Sequence, residues 1–157
     1  MDGLAARKNV VIDGVAVKEL LVHPDDRGRL YEILRADDSL FKKFGQVYIT
    51  TAFPGVVKAW HYHKIQTDYF CCIEGSARLV LYDPRGDSST RGAVMEFDLR
   101  PDNPRLVMIP PHVYHGFQCL SKTEAIMLNI PTESYNAEHP DEYRLDPHDP
   151  TVPYVWR

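Results

Sequence analysis

Three histidines and one carboxylate form the pattern in this sequence best suited to chemistry. In Val56-Val57-Lys58-Ala59-Trp60-His61-Tyr62-His63, the two histidines stand two positions apart. Side chains of an extended strand alternate between its faces, so His61 and His63 share one side. Four residues separate His63 from Asp68, and six more lie between Asp68 and Gly75. A second element, Ile109-Pro110-Pro111-His112-Val113-Tyr114-His115, brings a third imidazole. Imidazole titrates near neutrality, so a same-face pair can lift a proton from one carbon and deliver one to its neighbour. The same set also suits a metal. His61, His63, Asp68 and His115 would offer three nitrogens and one oxygen to Zn, Fe, Mn or Ni, with positions left open. Single histidines such as His23 and His139 carry no comparable signal.

The elements that position these residues read as strands. Runs rich in β-branched and aromatic residues occur at Val15–Val22, Arg29–Leu34, Gln46–Ala52, Thr67–Ile73, Ala77–Tyr82, Val94–Leu99, Leu106–Ile109 and Ala125–Ile130. Their regular spacing and the turn signals between them predict an all-β sandwich or barrel. Asp83-Pro84-Arg85-Gly86-Asp87 and Arg100-Pro101-Asp102-Asn103-Pro104 carry turn chemistry. One short helix is predicted over Asp37–Phe44, capped by Asp37 or Asp38 and ended by Gly45. From Tyr135 onward the chain is rich in Pro, Asp and Glu and is expected to wrap the surface. At 157 residues, 44% hydrophobic and 25% charged, residues 1–157 make one domain.

Composition narrows the function classes. A net charge of -4 gives no footprint for nucleic acid or an anionic membrane. No apolar stretch approaches a membrane span, and Met1-Asp2-Gly3-Leu4-Ala5 lacks the build of a signal peptide. Cys71 and Cys72 are adjacent in a strand-like run within a set of three cysteines, which reads as buried thiols in a reducing compartment. The expected location is the cytoplasm.

The two histidine elements resemble the two-part motif of the cupins, with Asp68 where that pattern usually has Glu and His112 where it usually has Gly. The resemblance implies a jelly roll (a double-stranded β-helix) with the histidines converging inside it. Asp26-Arg27-Gly28-Arg29-Leu30-Tyr31-Glu32, then Gln46, Trp60-His61-Tyr62-His63, Asp83-Pro84-Arg85, Ser88-Ser89-Thr90, Ile109-Pro110-Pro111 and His115-Gly116-Phe117 are, in order, similar to the dTDP-4-dehydrorhamnose 3,5-epimerase family. The likeness runs from about Val15 to Trp156. It implies a homodimer, with no cofactor, that epimerises a nucleotide-linked 4-keto-6-deoxyhexose by removing a proton next to the ketone. By resemblance, His61 is the base, His115 lies in the sugar pocket, Arg27 and Glu32 contact the nucleotide, and Gln46 binds substrate. Lys58 replaces an arginine of the family, Asp68 takes the place of a lysine that steadies the enolate, and the family's tyrosine acid falls at Leu128. The acid would then be Tyr135 or water.

His61-Tyr62-His63-Lys64, together with Tyr48 in its Val-Tyr context, also resembles the nucleotide-linked 4-keto-6-deoxysugar 3,4-ketoisomerases. That likeness makes His63 a second catalytic group and adds Tyr48 and Lys64 to the substrate contacts.

Overall fold

The computed structural model describes residues 11–157. The leader reading at Met1–Ala5, like the start of the expected domain, lies outside those residues. Twelve strands are formed, and no helix occurs among the described residues. They are β1 (Ala16–Glu19), β2 (His23–Asp25), β3 (Gly28–Leu30), β4 (Tyr48–Ala52), β5 (Val57–Tyr62) and β6 (Asp68–Glu74), followed by β7 (Ala77–Tyr82), β8 (Val94–Leu99), β9 (Arg105–Ile109), β10 (Tyr114–Cys119), β11 (Ala125–Asn129) and β12 (Tyr143–Arg144). Two five-stranded antiparallel sheets, ordered β1-β9-β6-β11-β4 and β12-β5-β10-β7-β8, make the jelly roll. The core lies between them. Phe70, Val107 and Met127 from the first sheet meet Leu79, Leu81, Phe97 and Phe117 from the second. Strand β6 is central and covered on both faces, which explains its unbroken apolar run: Phe70 and Cys72 enter this core, while Tyr69 and Cys71 pack behind the sheet with Leu20 and Leu106.

Several expectations change once tertiary contacts form. No helix covers Asp37–Phe44; that stretch holds turns and extended chain. Asp38 is used differently, binding Lys18 Nζ at 2.5 Å and accepting from the Arg35 backbone N–H at 2.8 Å. Tyr69 donates to the Leu40 carbonyl at 2.7 Å, so the carbonyl joins a tertiary bond. The run Arg29–Leu34 pairs only through Gly28–Leu30, in an exposed hairpin outside both large sheets. The tail does more than wrap the surface. It adds β12 to the edge of the second sheet and buries Val152 and Trp156 against Trp60.

One irregularity matters to the cavity. Between β5 and β10, His61 pairs with His115 but Lys58 pairs with Phe117, so β5 carries one extra residue. Strict alternation would put Lys58 and His61 on opposite faces; the bulge allows both to line the same cavity. Gly116 makes this possible. A Cβ there would stand 2.4 Å from the Ala59 Cβ and 2.9 Å from the Lys58 carbonyl oxygen, both on the bulged strand. Gly116→Ala should therefore push β5 from β10 and cost about 1–3 kcal/mol in chemical denaturation, the usual cost of overpacking. Unchanged stability would show that the bulge relaxes freely.

Candidate active site

A cavity of about 720 Å³ opens between the sheets and the segment after β11. Gln46, Tyr48, Lys58, His61, His63 and Tyr135 all line it. His61 is the next-to-last residue of the bulged β5, and His63 lies one residue beyond that strand. Asp68, at the start of β6, and His115, on β10, are each 1% exposed and stand behind the two lining histidines. The imidazole rings are close: 4.1 Å between the centroids of His61 and His115, and 5.8 Å from His63 to each.

Asp68 organises the cluster. Its Oδ1 accepts from Gln66 Nε2 at 2.7 Å and Asn129 Nδ2 at 2.9 Å. Its Oδ2 lies 3.1 Å from His63 Nε2 and 3.0 Å from His115 Nε2, within ion-pair reach but not aligned as a hydrogen bond. Two backbone carbonyls hold the opposite nitrogens of these rings: Asp141 O faces His63 Nδ1, and Val113 O faces His115 Nδ1 at 3.0 Å. Asn129 also donates to the Tyr48 hydroxyl at 2.9 Å.

The charges separate accordingly. Burial and the adjacent His115 ring hold His61 well below the ordinary imidazole value, so it is neutral at pH 7. Burial alone would lower His63, but the Asp68 carboxylate, with a smaller contribution from Asp141, outweighs it and raises that ring. Burial would raise Asp68, yet the two imidazoles hold it well below the usual carboxylate range. Tyr48 is pushed up to about 12 by burial and by the Asp68 charge, which keeps its phenol protonated.

Not every expected site residue reaches the cavity. His115 is buried behind His61 rather than in the cavity wall. Lys64 faces away, its ammonium 4.3 Å from the centre of the Tyr143 ring, and lines a separate groove with Tyr62 and Tyr114. Arg27, on the exposed hairpin, pairs with Asp25, and Glu32 pairs with Arg35; neither lines the cavity of its own chain. Leu128 stands where the family's tyrosine acid falls. It sits on the opposite face of β11 from Asn129, the residue that reaches Asp68. The sequence reading missed Gln66, Asn129 and Asp141. Asn129 carried a faint signal, a polar residue in phase with the buried Ala125 and Met127. Asp141 carried none, since its contacts are with residues about 75 positions away.

His61, His63, Asp68 and His115 also offer one donor atom each within 4.8 Å of one another, a compact enough set for a divalent ion. The Asp68 carboxylate nevertheless has a use in proton chemistry, as the charge partner of His63. Asp68→Asn should lower the His63 pKa, because burial is then opposed by Asp141 without the Asp68 charge. An NMR titration of the His63 ring reads this directly; an unmoved ring would remove Asp68 as its charge partner. In the native protein, Asp68 stabilises the fold above its unfolded value of 3.8 and loses that contribution as pH falls through its lower folded value. His63 stabilises below 6.5 and loses its contribution as pH rises through its higher folded value. Both contributions are therefore complete between 3.8 and 6.5.

Comparison with known proteins places this arrangement. The family described as dTDP-4-dehydrorhamnose 3,5-epimerase matches residues 9–157. The spore coat polysaccharide biosynthesis protein SpsL of Bacillus subtilis is 42% identical over 146 residues, 93% of this chain and 97% of that protein. The probable low-salt glycan biosynthesis epimerase Agl13 of Haloferax volcanii is 36% identical over 136 residues, 85% of this chain and 87% of its own length. The crystal structure of a dTDP sugar isomerase from Desulfovibrio desulfuricans superposes with a TM-score of 0.86 at 33% identity, covering 94% of both chains.

Proposed function

Because the chain belongs to the dTDP-4-dehydrorhamnose 3,5-epimerase family and is an enzyme of the sugar-nucleotide epimerase and isomerase class, we propose that a dTDP-linked 4-keto-6-deoxyhexose enters the cavity and that His61 takes the proton from a carbon next to its ketone. One observation carries this reading. His61 is the lining imidazole that burial and His115 keep neutral, so its lone pair is available at physiological pH. The C–H electron pair moves onto the carbonyl oxygen and forms an enolate. A proton then returns to carbon from Tyr135, which stands 63% exposed at the rim, or from water. Gln46, Tyr48 and Lys58 contact the substrate from the wall. Family membership over nearly the whole chain favours this over a metal-dependent reaction.

The same proposal includes the assembly and the location. Arg27 and Glu32 lie outside the cavity of their own chain, so nucleotide contacts from them come from a second copy in a homodimer. The single cupin domain works in the cytoplasm; no helix among the described residues is long and apolar enough to cross a membrane. Light scattering should give about twice the 18.0 kDa chain mass. A fully active monomer at micromolar concentration would contradict the shared site.

His61→Ala should abolish solvent deuterium incorporation into dTDP-4-dehydro-6-deoxyglucose, since general acid–base groups contribute about 10²–10⁴-fold. Undiminished exchange by the folded variant would assign the base elsewhere. In the native enzyme, the acidic limb of the kcat/KM profile should fall below the ordinary imidazole value of 6.5, because the lowered His61 stays neutral to lower pH. A limb above 6.5 would point to another base.

A further inference from the structure

Asp141 lies between β11 and β12 and grips the turn after β5 with both its side chain and its backbone. Its Oδ1 accepts from the Lys64 N–H at 2.8 Å, and its Oδ2 accepts from Ile65 at 3.0 Å and Gln66 at 2.9 Å. Three successive amides thus converge on one carboxylate. They outweigh the effect of burial and hold the Asp141 carboxyl below its ordinary value. The Asp141 carbonyl meanwhile faces His63 Nδ1. A carbonyl can only accept, so Nδ1 carries a hydrogen whether or not the ring is charged; the second proton, which Asp68 favours, sits on Nε2, and in the neutral ring Nε2 can accept from Gln66 Nε2 at 3.4 Å.

The grip extends one residue further. Gln66, whose backbone N–H is held by Asp141, sends its side-chain amide to Asp68 Oδ1 at 2.7 Å. One residue therefore sets the orientation of the His63 ring and the position of an amide that supports its carboxylate partner. Asp141 borders the cavity, yet both of its carboxylate oxygens are committed to backbone amides.

We propose that Asp141 is a positioning residue for the reaction: its carboxylate locks the 64–66 turn so that its own carbonyl holds a hydrogen on His63 Nδ1 in both protonation states, making Nε2 the nitrogen that gains and loses the second proton behind the cavity wall. The inference rests on the epimerase reading of this cavity. A residue that merely stapled a loop would leave the histidine tautomer and the turnover number alone, whereas a positioning residue changes both.

The test is Asp141→Ala in the full chain, with Asp141→Asn as the conservative variant. Nitrogen-15 NMR of the histidine rings, recorded at a pH high enough that His63 is neutral, reports its tautomer without any substrate. In Asp141→Ala, the Nδ1–H signature should give way to a tautomer mixture. With dTDP-4-dehydro-6-deoxyglucose, kcat should fall about 10–100-fold with KM within about threefold, the range expected when a reacting group is misplaced by about an ångström. Asp141→Asn keeps the shape and one acceptor oxygen, so it should recover part of both signals; it also serves alone if the alanine variant does not fold. A folded variant that keeps the Nδ1–H signature and native kcat would overturn the proposal, as would a rise in KM alone with the tautomer intact. If the native enzyme fails to exchange deuterium into the sugar nucleotide, the epimerase reading fails, while the NMR comparison still decides what Asp141 does to His63.

Discussion

A carboxylate almost wholly removed from water, Asp68, is the constraint around which this molecule is arranged. Isolated burial of such a charge is prohibitive, and breaking a buried pair typically costs about 3–5 kcal/mol. Asp68 is tolerated because four groups surround it: two imidazoles at Oδ2 and two side-chain amides at Oδ1. Those groups come from the turn after β5, from β10 and from β11, so elements distant in sequence must arrive in register for the charge to be accommodated. The demand links both sheets. His115 reaches it from the second sheet, whereas Asn129 and Asp68 itself belong to the first.

That one anion divides the histidines by function. His63 lies close to it and gains positive character; His61 pairs with neither of its oxygens and stays neutral under burial and the proximity of His115. Two imidazoles of the same strand face thereby acquire opposite tendencies at the same pH, the condition under which one group can accept a proton while its neighbour holds one. The distance from Asp68, rather than residue type, makes the difference.

The segment that follows β11 completes the cavity and is tied at both ends. At the near end Gly45 permits a backbone approach that any Cβ would block at 2.3 Å from Glu133, and Ser134 Oγ donates to the Gly45 carbonyl at 2.9 Å. At the far end Asp141 and the pairing of β12 with β5 hold the chain. Between these ties Tyr135 projects at the rim, exposed but bounded. An anchored, solvent-facing segment beside a rigid floor is a common way for a β scaffold to carry function on a connection.

The local features were legible in the residues themselves. Strands Ala77–Tyr82 and Val94–Leu99 carry β-branched and aromatic side chains bounded by turn residues, and they form with the expected limits. The two-residue spacing of His61 and His63, with Asp68 and His115 at motif intervals, brought all four into one cluster as expected. Where a preference was weak, tertiary contacts decided. Asp37–Phe44 had cap signals for a single short helix, but Asp38 and the Leu40 carbonyl found partners on β1 and β6, and a helix that short has little cooperative stability of its own. Register was also beyond a one-dimensional reading. The β5 bulge brings Lys58 into the cavity against simple alternation, and one position of phase on β11 separates the outward Leu128 from the inward Asn129. Asp141 shows the limit most clearly. Nothing near it in the chain distinguishes it from other acidic residues of the tail; only folding brings it to three amides and an imidazole some 75 residues away. The sequence by itself determined which side chains could do the chemistry, while β10, which carries His115, stood outside the strand runs legible in it. The tertiary structure decided which oxygen faces which nitrogen, because burial and hydrogen-bond direction, the quantities that set protonation, exist only once distant strands have closed around the charge.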